Sequence, residues 1–202
     1  MQMYKVFIEN KAVIFKINPQ LNKKNQLSKK QIWKKIKWIT KTQLDGIAFE
    51  IKSKDEFKEI FNKYKFIKAA GGLVQRKNKF LFIKRNGVWD IPKGKLEKGE
   101  KVKKAAIREI VEECNVNPPK IKAHLLNTYH TYTMNGKKYL KKTYWFWMMA
   151  NQKDKKLKPQ TEEGISKVKY VKVKKFDKIK SKTYKSIVEV INVLESRLDN
   201  IN

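Results

Sequence analysis

The chain has 202 residues, 41% hydrophobic and 11% aromatic, and a formal charge of +30. That is apolar material for one ordinary domain plus a small second one, and too much for a disordered chain. With 49 Lys and Arg against 19 Asp and Glu it should attract polyanions. No apolar run nears the ~20 residues of a membrane span, so the expected setting is the cytoplasm, with no membrane partner. The N-terminus alternates instead of forming a signal-peptide core. Cys114 is the single cysteine, which rules out an intramolecular disulfide, suits a reducing compartment and reads as a packed bystander. Only Arg76, Arg85, Arg108 and Arg197 are arginines and the lysines are spread along the chain. The charge therefore resembles a general composition bias as much as a nucleic-acid patch, and a nucleic-acid partner stays open.

Tyr4 to Ile8, a Glu9-Asn10-Lys11 turn and Ala12 to Ile17 predict a hairpin. A helix follows from Ser28 to about Thr40 on the spacing of Ile32, Trp33, Ile36 and Ile39, then a strand Gly46 to Ile51. Ser53 with Glu56 forms a capping-box pattern opening a helix through Phe57, Ile60, Phe61 and Tyr64. No catalytic constellation occurs here, and residues 1–67 are expected to be a small N-terminal α+β domain for packing or dimerisation. From Phe66 the pattern becomes strands at Ala69 to Gln75 and Phe80 to Arg85, with an Asn86-Gly87 turn. Later, Ala123 to Met134 and Lys137 to Ala150 flank Asn135-Gly136, a strong hairpin signal. Asn151 to Gly164 reads as a loop, Lys167 to Val173 as a strand and Tyr184 to Leu198 as a closing helix. Trp145 and Trp147 share a strand face and read as core, and His130, alone among strand aromatics, reads as structural.

Acid is concentrated between these elements. Five of the 19 acidic residues fall between Gly94 and Glu113. On a helix Glu109, Glu112 and Glu113 sit at i, i+3 and i+4, so their carboxylates are expected to reach a common point. Such a face repels itself unless a cation binds, and an all-oxygen donor set suits Mg²⁺ or Mn²⁺. The Pro92-Lys93-Gly94-Lys95 turn before it offers backbone N–H and ammonium groups to phosphate oxygens, which nominates Gly94, Lys95 and, from the preceding strand, Arg85 as substrate-binding residues. Glu100 and Arg108 are placed to pair and brace loop against helix.

The spacing Gly94, five residues, Glu100, seven residues, Arg108-Glu109-Ile110, one residue, Glu112-Glu113, one residue, Asn115-Val116 resembles the Nudix box. Asn115 departs from it, since the family usually has Gly there; Asn is the next best residue for the left-handed turn that ends the helix. The resemblance covers about residues 68 to 175. It implies an α/β/α sandwich with a mixed sheet over residues 68–202, behind the N-terminal domain, in an α+β chain. It also implies a Mg²⁺-dependent hydrolase that cleaves a phosphoanhydride bond in a nucleoside diphosphate linked to another moiety.

In that reading Glu109, Glu112 and Glu113, with the Lys93 carbonyl, bind metal, while Glu109 is also placed to orient the water. Glu162 or Glu163 would supply a further carboxylate as ligand or general base. The Trp89-Asp90-Ile91-Pro92-Lys93-Gly94-Lys95 loop is similar to that of dinucleoside tetraphosphate and diphosphoinositol polyphosphate hydrolases. Two other readings are a non-catalytic Nudix-fold sensor of nucleotide or nucleic acid, and an RNA 5′-end pyrophosphohydrolase.

Overall fold

The computed structural model describes residues 2–151 and 156–200. Two compact units arise, Met1–Ile67 with Thr128–Lys141, and Lys68–Asn127 with Lys142–Asn202. They differ from the two consecutive domains expected, because residues 128–141 group with the N-terminal segment.

In the first unit β1 (Met3–Ile8) and β2 (Lys11–Ile17) are antiparallel, and Glu9 and Asn10 alone form the turn, both at positive φ. β3 (Gly46–Ile51) adds in parallel beside β2, from Ala12↔Gly46 to Ile17↔Ile51. α1 (Lys29–Ile39) buries Ile32, Ile36 and Ile39, the face that helical spacing selects. Its start carries a capping box the sequence reading missed, in which Ser28 Oγ accepts from Gln31 N and Gln31 Oε1 accepts from Ser28 N. α2 (Lys54–Ile60) is shorter than expected, with Phe61 as its C-cap and Tyr64 outside it. Ser53 Oγ caps Glu56 N, but Glu56 Oε2 turns back to Lys52 N.

Phe15 packs edge to face against Phe57 and Phe61 at 5.5 and 5.7 Å between centroids, an arrangement worth about 0.5–1.5 kcal/mol per pair beyond area burial. The distal part of β8 (Lys120–Met134) completes this unit. Val6 and Phe7 of β1 pair in parallel with its Tyr129 and His130, and Leu140, beyond the turn, is buried in the same core.

In the second unit the strand order is β10-β5-β4-β9-β8, where β4 is Lys65–Arg76, β5 Lys79–Arg85, β9 Lys137–Met149 and β10 Ile165–Lys172. Asn135 and Gly136, both at positive φ, turn β8 into β9. Strand period two sorts side chains onto two cores. Phe80, Phe82, Trp145 and Trp147 face one core with α5 (Lys185–Asp199) and α4 (Phe176–Lys180). Leu81, Ile83, Phe146 and Met148 face the other, with α3 (Val102–Cys114). The unit is a sheet between helices within an α+β chain. Two short strands, β6 (Val88–Asp90) on β5 and β7 (Lys93–Lys95) on β4, and the five-residue α4 were not read from the sequence. Part of the expected Asn151 to Gly164 loop, residues 152–155, lies outside the described residues; Thr161–Glu163 form a 3-10 turn. No described helix is long and apolar enough to cross a membrane.

Candidate active site

The segment from Trp89 to Lys95 is held flat by two ladders, Ile83↔Asp90 on one side and Gly71↔Lys93 on the other. The approach is close, since a Cβ on Gly71 would lie 2.2 Å from Pro92 O. Gly94 faces a second constraint: a Cβ there would lie 1.9 Å from Glu109 Oε2. The Glu109 carboxylate therefore rests directly on the bare backbone of Gly94. α3 delivers it, and α3 ends at Asn115, whose φ of 53° and ψ of 45° are the left-handed conformation expected of it.

Arg108 organises the outer half of the cluster. It bonds Glu100 bidentately, Nε to Oε1 and Nη2 to Oε2, both at 2.9 Å, and Nη2 also donates to Lys95 O at 3.1 Å. Its Nη1 lies 2.9 Å from both Glu109 Oε1 and Glu112 Oε2. Arg108 holds the Glu100 carboxyl below its ordinary range and is itself pushed up by these partners. Burial pushes the Glu109 carboxyl up; Arg108 opposes this, while Glu112 and Glu163 add to it.

The inner half is built on Glu113, which is fully buried. Its Oε2 accepts from Lys93 N at 2.9 Å and its Oε1 from Arg85 Nη1 at 3.3 Å. Burial pushes its pKa up to about 8, against the pull of Lys93 and Arg85. Arg85 Nη2 reaches on to Glu163 Oε2 at 2.8 Å, because β5 and β10 pair at Arg85↔Ile165 and set the preceding turn beside Arg85. Of the two loop glutamates, Glu163 thus joins the cluster, whereas Glu162 is exposed and makes no ion pair among the described residues.

Three expectations need correction. Glu109 and Glu112 flank Arg108 Nη1 while Glu113 is turned to Lys93 N and Arg85, so the three carboxylates are not gathered on one point as expected, and no group of three acidic, His or Cys side chains among the described residues is clustered. Glu109 and Glu113 share the buried face of α3, while Glu112, about 60° round the helix from Glu109 and about 100° from Glu113, is half exposed. The Lys93 ammonium is not free for phosphate, since it is buried against Asp90 Oδ2. The Arg85 guanidinium is engaged by Glu113 and Glu163, whereas Lys95 remains exposed. Asp90, 4% exposed, is the residue sequence reasoning missed. Its signal was an acid three residues before a lysine across Ile91-Pro92 in a chain that uses acid sparingly. His130 belongs to the other unit, where it pairs with Phe7.

The donor chemistry fits a hard divalent cation. Glu100, Glu109, Glu112, Glu113 and Glu163 face only two guanidinium groups, and Arg108 Nη1 already places positive charge between Glu109 and Glu112. Glu109 and Glu112, which already share one cationic group, are the carboxylates that would hold Mg²⁺ or Mn²⁺; Glu113 and the Lys93 carbonyl, expected to join them, are not gathered to the same point here.

The family model for the NUDIX domain matches residues 65–190. Among solved structures, the chain is similar to a NUDIX hydrolase from Nitrosomonas europaea, with 19% identity, 65% of this chain and 90% of that one covered, and a TM-score of 0.51. It is similar to an Ap4A hydrolase of C. elegans, with 23% identity, 66% and 98% covered, and a TM-score of 0.51. A bifunctional NMN adenylyltransferase/ADP ribose pyrophosphatase from Francisella tularensis, solved with AMP and a Mn ion, matches at 18% identity over 71% of this chain and 46% of its own, with a TM-score of 0.50. At these identities the likeness is one of fold.

Proposed function

The chain belongs to the Nudix family, and from that premise we propose that it is a Mg²⁺- or Mn²⁺-dependent pyrophosphohydrolase acting on a dinucleoside polyphosphate or a similar nucleoside diphosphate linked to another moiety. The observation that carries this reading is the carboxylate cluster on α3 laid against the Gly94 backbone in a chain of charge +30. The substrate class rests on the Trp89-Asp90-Ile91-Pro92-Lys93-Gly94-Lys95 loop, and an Ap4A hydrolase stands among the similar structures. The single buried thiol and the lack of a long apolar run suit work in the cytoplasm.

Water attacks one phosphorus, the bridging P–O bond breaks, and two phosphate-ended products leave with release of a proton. Glu109 and Glu112, with Glu113 beside them on α3, would hold the divalent ion, which would supply charge neutralisation and a more acidic water. Glu163, placed by Arg85 and half exposed, is positioned to take the proton of the attacking water, and Glu109 is the alternative. Lys95 and the Gly94 backbone are the phosphate-holding groups that remain accessible. Glu100 and Arg108 position the helix and touch no substrate.

A panel of dinucleoside polyphosphates, diphosphoinositols, ADP-ribose, nucleoside triphosphates and 5′-triphosphate RNA, run with and without Mg²⁺, tests the reading. Turnover that needs the metal and falls on the order of 10²-fold or more in Glu112→Gln is expected. A folded protein that binds metal and hydrolyses nothing would be a sensor instead.

A further inference from the structure

A second site lies within the sheet unit, apart from the carboxylate cluster. A cleft of about 500 Å³ opens beside β10 and α4. Seven of its eleven lining residues are lysines, running from Lys169 and Lys172 on β10 through Lys175 and Lys178 to Lys182. The other four are Trp89, Val171 and Ile179 on the α4 side of the sheet and Tyr170, whose side chain turns to the α3 side, so no acid lines it.

Composition alone does not account for this. Lys and Arg make up 49 of 202 residues, about one in four, against nearly two in three here. A second cleft of similar size, about 480 Å³ in the N-terminal unit, is lined by Lys23 and Lys29 but also by Glu56 and Glu59. Acids near the basic cleft are withheld from it, for Asp177 on α4 and Glu195 on α5 both pair with Lys180, which is not a lining residue. All seven lining lysines are exposed and none is held in an ion pair among the described residues.

We propose that this cleft binds a single strand of nucleic acid, with the lysines along the phosphodiester backbone and the half-buried Trp89 surface against an unpaired base. The ligand chemistry follows from what the walls offer. Ammonium groups on long stems are mobile point charges that follow a backbone without reading sequence, and an aromatic wall accepts the face of any base. A compact polyphosphate would match the charge and leave Trp89, Val171 and Ile179 unused. The site depends on no metal, and the inference does not rest on the hydrolase reading.

Fluorescence anisotropy with labelled oligouridine and oligothymidine of about twelve nucleotides tests it on the full chain without metal, so that no turnover enters the readout. The triple variant Lys172→Glu, Lys175→Glu, Lys178→Glu is compared with Lys30→Glu, Lys34→Glu, Lys37→Glu, which makes the same charge change on the exposed face of α1. The cleft variant is expected to weaken strand binding on the order of tenfold or more and to lower the salt slope by about two, while the α1 variant changes both far less. Tighter binding of one oligonucleotide in the parent chain identifies the strand as RNA or DNA. Equal weakening by the two variants would reduce the effect to net charge and overturn the proposal. Loss of inositol hexakisphosphate binding with strand binding intact would overturn it too. Lys→Gln at the same three cleft positions repeats the test should the Glu variant fail to fold.

Discussion

Glu109 and Glu113 stand one helical turn apart and live in different surroundings. Glu109 is pressed onto Gly94, so Gly94→Ala must push the carboxylate away or open the loop. That variant is expected to lose activity on the order of 10²-fold while keeping most of its helix signal, read by turnover and circular dichroism side by side. Glu113 gives a pH signature. Its folded pKa of about 8 lies above the ordinary value of 4.5, so between those values the folded chain keeps a proton that the unfolded chain releases. Stability is therefore expected to fall as pH rises through that window and to level above it. In metal-free buffer, melting temperatures of the parent should drop between pH 5 and pH 8 more steeply than those of Glu113→Gln; parallel curves would refute the assignment. The glutamates were legible because their spacing announces a helix face. The inward turn of Glu113 and the Asp90 to Lys93 pair were not, since both depend on how the Trp89 to Lys95 segment is clamped between β4 and β5.

At the level of elements, caps and turns were written locally and read well. Asn115 takes the left-handed position, and its Nδ2 also donates to Lys156 O at 3.0 Å. Replacement by Ala should cost about 1–2 kcal/mol, because a β-carbon is strained there and the bond is lost. Replacement by Gly relieves the strain and should stay within about 0.5 kcal/mol of the parent; denaturant melts separate the two cases. β6 and β7, three residues each, escaped notice because so short a run shows no period. α4, at five residues, sits in a stretch where Lys at every second or third position hides the apolar pair Phe176 and Ile179. α2 ended early because Phe61 leaves helical geometry, although Tyr64 continues the spacing that suggested a longer helix.

For the molecule as a whole, a charge of +30 produces a field that extends beyond any one site. KM for a polyphosphate substrate is expected to rise several-fold, with kcat little changed, as ionic strength goes from about 0.01 to about 0.15 M and the screening length shrinks from about 30 to about 8 Å. A KM indifferent to salt would show that the lysines play no part in encounter. The Asn135-Gly136 hairpin was plain in the sequence, but a turn signal says nothing about which core its arms enter. Here Tyr129 packs against Tyr4 at 5.8 Å between ring centroids and Leu140 is 3% exposed within the N-terminal core. That arrangement bears on how such a chain can be edited or inherited. A cut at residue 67 would strip Leu140 and Tyr129 of their cover and leave β1 without its partner on β8. The leading segment is thus no detachable cassette: recombination that swaps it for another would have to bring a matching hairpin tip, seventy residues downstream, in the same event.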